Sequence, residues 1–176
     1  MKILLFGISN VGKTTIGKIL AEKLNYKFSD LDEEIKIKMN MTLTQFQDKY
    51  PFQYERHKVM GKILNEVSDE NNIVIAVTPI YYSRNFNYLL KEPNVIAFEL
   101  QDSPKNIFDR LIFSDELDNI YVDNEYKNAH KDHYLNDIKK DITYYKRSFN
   151  KIENKYNIDG QNAEFVAEQL CKMINK

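Results

Sequence analysis

The sequence is poor in several residue types, and each shortage excludes a class of protein. Its single cysteine, Cys171, rules out an internal disulfide and a cysteine-based metal site, and fits a reducing compartment. Five glycines and four prolines exclude collagen-like and glycine/proline-rich disordered chains. No apolar run approaches the ~18 residues of a transmembrane helix. The net charge of −1 argues against a dedicated nucleic-acid-binding protein, which would carry a basic face.

The N-terminus begins directly with an apolar stretch, without a basic region followed by a small-residue cleavage site. We therefore expect a cytoplasmic protein without a membrane partner. The length of 176 residues suits one domain, since single domains cluster at roughly 100–200 residues. The few glycines are also clustered, because Gly7, Gly12 and Gly17 fall near the start of the chain. Such clustering indicates a local backbone requirement.

Strand-like and helix-like segments alternate along the chain. Residues 3–6 form a short apolar run, which is typical of a strand buried on both faces, and residues 14–24 carry apolar side chains at helical spacing. Further strand-like segments are residues 26–29, 73–77, 95–100 and 156–159. This alternation predicts an α/β fold with a parallel sheet and right-handed crossovers.

Residues 114–133 interrupt this alternation, since they are polar, acidic and rich in Asn and Tyr. Irregular segments longer than ~12–15 residues in compact domains are usually functional or disordered. A mobile lid is one interpretation, and a surface loop or solvated helix is the other.

Residues 7–14, GISNVGKT, match the phosphate-loop pattern G-x-x-x-x-G-K-S/T. A predicted strand precedes the pattern and a predicted amphipathic helix follows it, which is the context that the motif requires. Lys13 can then reach the β- and γ-phosphates, and the Thr14 hydroxyl can bind Mg²⁺. We expect ATP and Mg²⁺ as cofactors. The predicted nucleotide-binding residues of this loop are Gly7, Asn10, Val11, Gly12, Lys13, Thr14 and Thr15.

Other phosphate-loop classes fit the sequence less well. The guanine-reading motif Asn-Lys-x-Asp is approached only by residues 154–157, NKYN, which lack the aspartate. A motor or unwinding ATPase would usually carry an acidic residue at the end of an apolar strand, and residues 73–77 have none. The small size favours a kinase that acts on a small molecule.

Two carboxylates, Asp30 and Asp32, follow the second predicted strand. One could hold Mg²⁺ through water, while the other accepts a hydrogen bond from a substrate hydroxyl. Acidic residues are also favoured at the start of a helix by its dipole, so a purely structural role stays open.

Residues 7–35 and 39–56, taken together, resemble the shikimate kinase family. The resemblance implies a P-loop three-layer sandwich with a five-stranded parallel sheet flanked by helices, a substrate-binding subregion at about residues 31–60 and a lid at about 112–133. It also implies ATP- and Mg²⁺-dependent transfer of a phosphoryl group to a hydroxyl of a small anionic metabolite. One kinase domain would cover residues 1–176.

The resemblance implies roles for individual residues. Lys13 and Asp32 would be catalytic, with Asp32 binding the substrate hydroxyls and serving as general base. Asp30 would help to hold the metal, and Arg56 would bind the substrate carboxylate in bidentate fashion. Arg110 would pack on the adenine, although a surface charge beside the lid is an equal alternative.

The positions expected to contact the substrate depart from the family pattern at several points. The family's Gly-Gly-Gly turn after the third strand is replaced by Thr78 and Pro79, and no arginine lies in the predicted lid. A late arginine four residues before a tyrosine becomes Lys140 before Tyr144, which keeps the charge but loses the planar fork. Thr78 and Lys140 are the expected substrate contacts at these positions. Two alternatives follow: a kinase for a different small substrate, or a nucleotide-binding module without an acceptor.

Overall fold

The computed structural model describes residues 1–79 and 84–175, with residues 84–86 described by their backbone alone. Its strands are β1 (Lys2–Phe6), β2 (Lys27–Asp30), β3 (Ile73–Ala76), β4 (Val95–Gln101), β5 (Phe113–Ser114), β6 (Ile120–Tyr121) and β7 (Asn154–Asn157). Its helices are α1 (Lys13–Leu24), α2 (Leu31–Met39), α3 (Leu43–Lys49), α4 (Gln53–Val67), α5 (Arg84–Leu89), α6 (Pro104–Asp109), α7 (Asn124–Ala129), α8 (Lys131–Phe149) and α9 (Ala163–Ile174).

Within the described residues, a five-stranded parallel sheet in the order β2-β3-β1-β4-β7 forms the centre of the fold. Every residue of the central strand β1 is buried, because helices cover both faces of the sheet. The apolar side chains of β1, β3 and β4 build the core together with α1, α4 and α9. The expectation of an α/β fold with five parallel strands is confirmed.

The strand register brings the carboxyl ends of β1, β2 and β3 to one edge of the sheet. Ala76 at the end of β3 pairs with Leu5 of β1 on one side and with Asp30 of β2 on the other. The segments that leave these three strands are therefore neighbours in space although they are far apart in sequence. In open α/β sheets this edge is where ligands bind.

Residues 114–133 are more regular than a surface loop. With the adjoining Phe113, they form a small antiparallel hairpin of β5 and β6, followed by α7 and the first turn of α8. The Phe113 ring stacks on Tyr121 with centroids 5.6 Å apart and meets Tyr126 and Tyr134 edge-on at 5.9 and 5.7 Å. This aromatic cluster holds the hairpin against α7 and α8.

The hairpin also contacts the helices that follow β2. The Asp118 carboxylate, between β5 and β6, accepts a hydrogen bond of 2.8 Å from the backbone N–H of Leu43. Leu43 is the first residue of α3, whose first turn is stabilised by a capping box of Thr42 and Gln45. The predicted lid region is thus joined to the predicted substrate-binding subregion.

In the part of the chain that the structure describes, no helix is both long and apolar enough to cross a membrane.

Gly7 is the residue that the turn after β1 requires most. Its φ of +143° is a conformation that L side chains rarely adopt, and an added Cβ would lie 2.6 Å from the Leu100 carbonyl oxygen. We expect Gly7→Ala to lower the free energy of unfolding by about 2 kcal/mol or more. Gly160→Ala is the matched control, because its φ of +69° lies in the left-handed region that a few per cent of other residues adopt; it should cost roughly 1 kcal/mol. Urea unfolding measures both, and equal losses would contradict the prediction.

Candidate active site

The turn between β1 and α1 is shaped to hold an anion. Gly7, Asn10 and Gly12 all have positive φ angles, which wrap the backbone between the strand end and the helix start. Gly12 is the N-cap of α1 and offers no side chain to its first-turn N–H groups, and that turn contains no acidic residue. By contrast, Asp30 and Thr42 cap α2 and α3 with side-chain oxygens. The uncapped amides and the helix dipole of α1 fit a phosphate group.

Lys13, the first residue of α1, is a buried cation within this turn. Its Nζ donates hydrogen bonds to the carbonyl oxygens of Gly7 (3.0 Å) and Ile8 (2.9 Å). Burial lowers the pKa of Lys13 from 10.5 to about 8, although the nearby charges of Asp32 and Asp30 oppose that shift. The ammonium group is therefore weakly solvated, and phosphate oxygens are stronger partners for it than carbonyls.

Thr14 and Asp30 meet at the mouth of the turn. The Thr14 hydroxyl donates a hydrogen bond of 2.6 Å to one carboxylate oxygen of Asp30. The other oxygen accepts the backbone N–H of Asp32 at 3.0 Å and so caps α2. Asp30 thus has the structural role that its position at a helix start suggests, and it also faces the phosphate turn.

This pair of oxygen atoms fits a magnesium ion, because Mg²⁺ in such sites is held by one or two side-chain oxygens with phosphates and water completing the octahedron. Among the described residues there is no group of three or more His, Cys, Asp or Glu side chains that could hold a metal by themselves. Thr14 and Asp30 are therefore the residues that would hold Mg²⁺ beside a bound nucleotide.

Asp32, in the first turn of α2, connects the phosphate turn with the neighbouring strand end. Its carboxylate accepts a hydrogen bond from the Thr78 hydroxyl, which follows β3. Burial raises the pKa of Asp32 above its ordinary value, and the charge of Asp30 adds to this, while the Thr78 hydrogen bond and the charge of Lys13 oppose it. A carboxylate with a raised pKa is a better proton acceptor than an exposed one.

A cavity of about 270 Å³ opens beside Asp32, between α2, α3, α4, the β3 end and α8. Its polar lining residues are Ser9, Asp32, Gln47, Gln53, Arg56, His57, Thr78, Asp141 and Tyr145. Arg56 is fixed in the wall, because its Nη1 donates hydrogen bonds to the carbonyl oxygens of Tyr50 (2.7 Å) and Pro51 (3.0 Å). The predicted residues Asp32, Arg56 and Thr78 are therefore brought together.

Lys140 does not join them. Its exposed side chain pairs with Asp137 at 2.9 Å, and it is absent from the residues that line the cavity. The residues of α8 that face the cavity are Asp141 and Tyr145. Each comes one position after a member of the predicted pair, Lys140 and Tyr144. Tyr145 belongs to the same apolar stripe as the buried Phe149, and this periodicity could have identified Asp141 one turn earlier in the sequence.

Arg110 lies at the end of α6, where its Nη2 donates a hydrogen bond of 2.6 Å to Asp102. The Asp102 side chain is fully buried, and its pKa is below the ordinary value because Arg110, Asn106 and the Ser103 backbone donate to it against the cost of burial. Arg110 is thus anchored beyond the carboxyl end of β4, on the same edge of the sheet as the phosphate turn.

The sequence model of shikimate kinases matches residues 9–175. The chain belongs to the shikimate kinase family. A shikimate kinase of Macrococcus caseolyticus is 32% identical to it over 115 residues, which cover 64% of this chain and 66% of that relative. The chain spans two thirds or less of the length of the curated relatives that it matches.

Solved structures of the family share the fold. Shikimate kinase from Bacteroides thetaiotaomicron superimposes with a TM-score of 0.80 at 22% identity, over 100% of this chain and 99% of that one. A shikimate kinase from Acinetobacter baumannii in complex with shikimate gives 0.73 at 23% identity, over 99% and 92%. These likenesses extend along the whole chain and show the fold.

The fit of Thr14 and Asp30 to a magnesium ion leads to a prediction about Thr14. Thr14→Val removes a hydroxyl ligand, so we expect the affinity for ATP in the presence of Mg²⁺ to fall by about tenfold, or ~1.4 kcal/mol. The affinity without metal should change little, because the loop amides and Lys13 remain. Calorimetric titration with and without Mg²⁺ measures both values.

Thr143→Val is the control, since the hydroxyl of this exposed threonine on α8 donates to the Lys139 carbonyl oxygen within the same helix. Equal losses with and without Mg²⁺ would show that Thr14 acts on the fold of the turn and not on the metal.

Proposed function

We propose that this protein is a kinase that transfers the γ-phosphoryl group of ATP to a hydroxyl of a small acid bound in the cavity, with Mg²⁺ as cofactor. The observation that carries the proposal is the place of Asp32, which lies between the buried cation of the phosphate turn and the cavity. Family membership supports it, and so does the fact that one structural relative is a complex with shikimate.

On the nucleotide side, Lys13 binds the β- and γ-phosphates, exchanging its carbonyl partners for phosphate oxygens. The turn residues, including Asn10, Val11, Gly12 and Thr15, surround the phosphates with backbone N–H groups. Thr14 and Asp30 would hold Mg²⁺, which would neutralise charge that develops on the phosphate oxygens. Arg110 lies at the sheet edge where the base of the nucleotide would extend.

On the acceptor side, Asp32 binds the reacting hydroxyl and accepts its proton as the hydroxyl oxygen bonds to the γ-phosphorus. The bond between that phosphorus and the bridging oxygen breaks, and ADP leaves. Arg56 binds the acceptor carboxylate through its remaining N–H groups, and Thr78 orients Asp32. Positioning and charge stabilisation supply most of the rate enhancement in such transfers.

Two segments complete the site in this proposal. Helices α2 and α3 and the first half of α4, within the subregion of residues 31–60, form one wall of the acceptor cavity. The segment 112–133 acts as a lid whose Asp118 contact with Leu43 ties it to that wall. Closure of such a lid excludes water from the reaction.

The proposal predicts that Asp32 acts in the transfer step and that Lys13 acts in ATP binding. Asp32→Asn removes the proton acceptor, so kcat should fall by about 10²–10⁴-fold while the affinity for ATP stays nearly constant. Lys13→Ala should abolish ATP binding itself. Asp137→Asn, on the outer side of α8, is the control. The assay couples ADP release to an acceptor panel that begins with shikimate and continues with other small hydroxy acids.

Two results would contradict the proposal. One is an absence of acceptor stimulation above basal ATP hydrolysis across the whole panel. The other is stimulated transfer that survives Lys13→Ala.

A further inference from the structure

The acceptor cavity has a phenol on its α8 wall that the proposed phosphoryl transfer does not use. Tyr145 lines this cavity of about 270 Å³ together with Arg56 of α4. The volume is at the small end for a ligand site, so a small acid that binds Arg56 comes within reach of the other lining groups. The α8 wall is therefore placed to contact the same acid from a second element of the fold.

Arg56 alone does not saturate a carboxylate, which has two oxygens and about four acceptor sites. Nη1 of Arg56 already donates to the carbonyl oxygens of Tyr50 and Pro51, so its other N–H groups are what remains for a ligand. Lys140, the substrate contact expected on α8, pairs with Asp137 and is absent from the cavity lining. A further donor to the carboxylate is therefore expected among the other lining residues.

The charges at the cavity favour a neutral donor for this role. The cations are Arg56 in the lining and Lys13 beside Asp32, and the carboxylates are Asp32 and Asp141, so the charges balance before an acceptor binds. Burial, together with the charge of Arg56, lowers the pKa of His57, so this imidazole adds no charge near pH 7. A neutral O–H donor can stabilise the incoming carboxylate without the cost of burying another ion.

Packing fixes the ring of Tyr145 before any ligand binds. The ring stacks on the buried Phe149, with centroids 5.6 Å apart and planes 17° from parallel. It also meets the Tyr144 ring edge-on, with centroids 4.9 Å apart. Both neighbours belong to α8, so the helix itself holds the ring in place. A donor that is already ordered loses little conformational entropy when it binds a ligand.

The Tyr145 hydroxyl lies between Gln53 and Arg56. Oε1 of Gln53 accepts the Tyr144 hydroxyl at 2.8 Å, which leaves the Gln53 amide N–H groups as donors. Burial raises the pKa of Tyr145, and the charge of Asp141 adds to this. A hydrogen bond from Gln53 and the positive charge of Arg56 oppose the shift. The phenol oxygen thus acts as an acceptor, and its O–H donates to no residue that the structure describes.

We propose that Tyr145 is an acceptor-binding residue whose hydroxyl donates a hydrogen bond to the acceptor carboxylate that Arg56 binds. The carboxylate is then held from α4 and α8 together, while Asp32 binds the reacting hydroxyl. This inference rests on the proposed kinase activity, because it concerns the acceptor of that same site. It makes α8 a source of the preference for an acid over its uncharged analogues.

Shikimate and its methyl ester are a matched pair of probes, because the ester keeps the ring hydroxyls and lacks the charged carboxylate. Each is titrated calorimetrically into the full chain, saturated with Mg²⁺ and a non-hydrolysable ATP analogue. The wild type should bind shikimate at least about thirtyfold more tightly than the ester. Tyr145→Phe should weaken shikimate binding by about tenfold and ester binding by about twofold or less, since hydrogen bonds to charged groups are the stronger ones.

Tyr144→Phe is the matched control on the neighbouring residue. It also removes a phenol hydroxyl beside Gln53, but Tyr144 is not among the residues that line the cavity. Its effect on shikimate binding should be about twofold or less. In the transfer assay, Tyr145→Phe should raise the acceptor KM by about tenfold and change kcat by about threefold or less, because the carboxylate contact is the same in the ground state and the transition state.

The proposal is overturned if the wild type binds the two probes equally or binds neither. It is also overturned if Tyr145→Phe weakens both probes alike or leaves both unchanged, or if Tyr144→Phe costs as much affinity for shikimate. The proposed kinase activity fails separately, when shikimate binds with the expected dependence on Tyr145 and yet no phosphoryl group is transferred to any acceptor.

Discussion

The buried ammonium group of Lys13 is the interaction on which the rest of the site depends. A cation removed from water at the end of a sheet needs oxygen partners, and here Gly7 and Ile8 supply backbone carbonyls. That arrangement requires the tight turn that Gly7 alone permits beside Leu100. The partly buried carboxylate of Asp32 lies nearby and has the opposite charge. Each charged group therefore offsets part of the free-energy cost of burying the other.

The parallel sheet explains why these charges meet. Parallel strands end at one edge, so the turn after β1, the acids at the end of β2 and Thr78 after β3 converge without any contact being encoded locally. The proposed nucleotide-binding part of the site is built from backbone geometry and a few side chains at those ends. The proposed acceptor-binding part is built from helices α2 to α4 and α8, whose side chains can change without disturbing the sheet.

The difference between the proposed nucleotide-binding and acceptor-binding parts also explains how much of the site could be predicted from the sequence. The phosphate loop, Asp30 and Asp32 follow strands directly, so local patterns identified them. Lys140 was chosen by its spacing to Tyr144, but tertiary packing sets the rotation of α8 and turns Asp141 towards the cavity instead. One residue along a helix changes the direction of a side chain by about 100°. The β5–β6 hairpin was missed because two-residue strands held by aromatic contacts have no periodicity to detect.

The central claim is that polyphosphate replaces the loop carbonyls as the partner of the Lys13 ammonium group. NMR titration of the Lys13 side chain, assigned by comparison with Lys13→Met, tests it directly. In the free protein the pKa should be about 8, and because phosphates favour the protonated form, ATP should raise it by about one unit or more. A pKa near 10.5 in the free protein, or one that ATP leaves unchanged, would contradict the account.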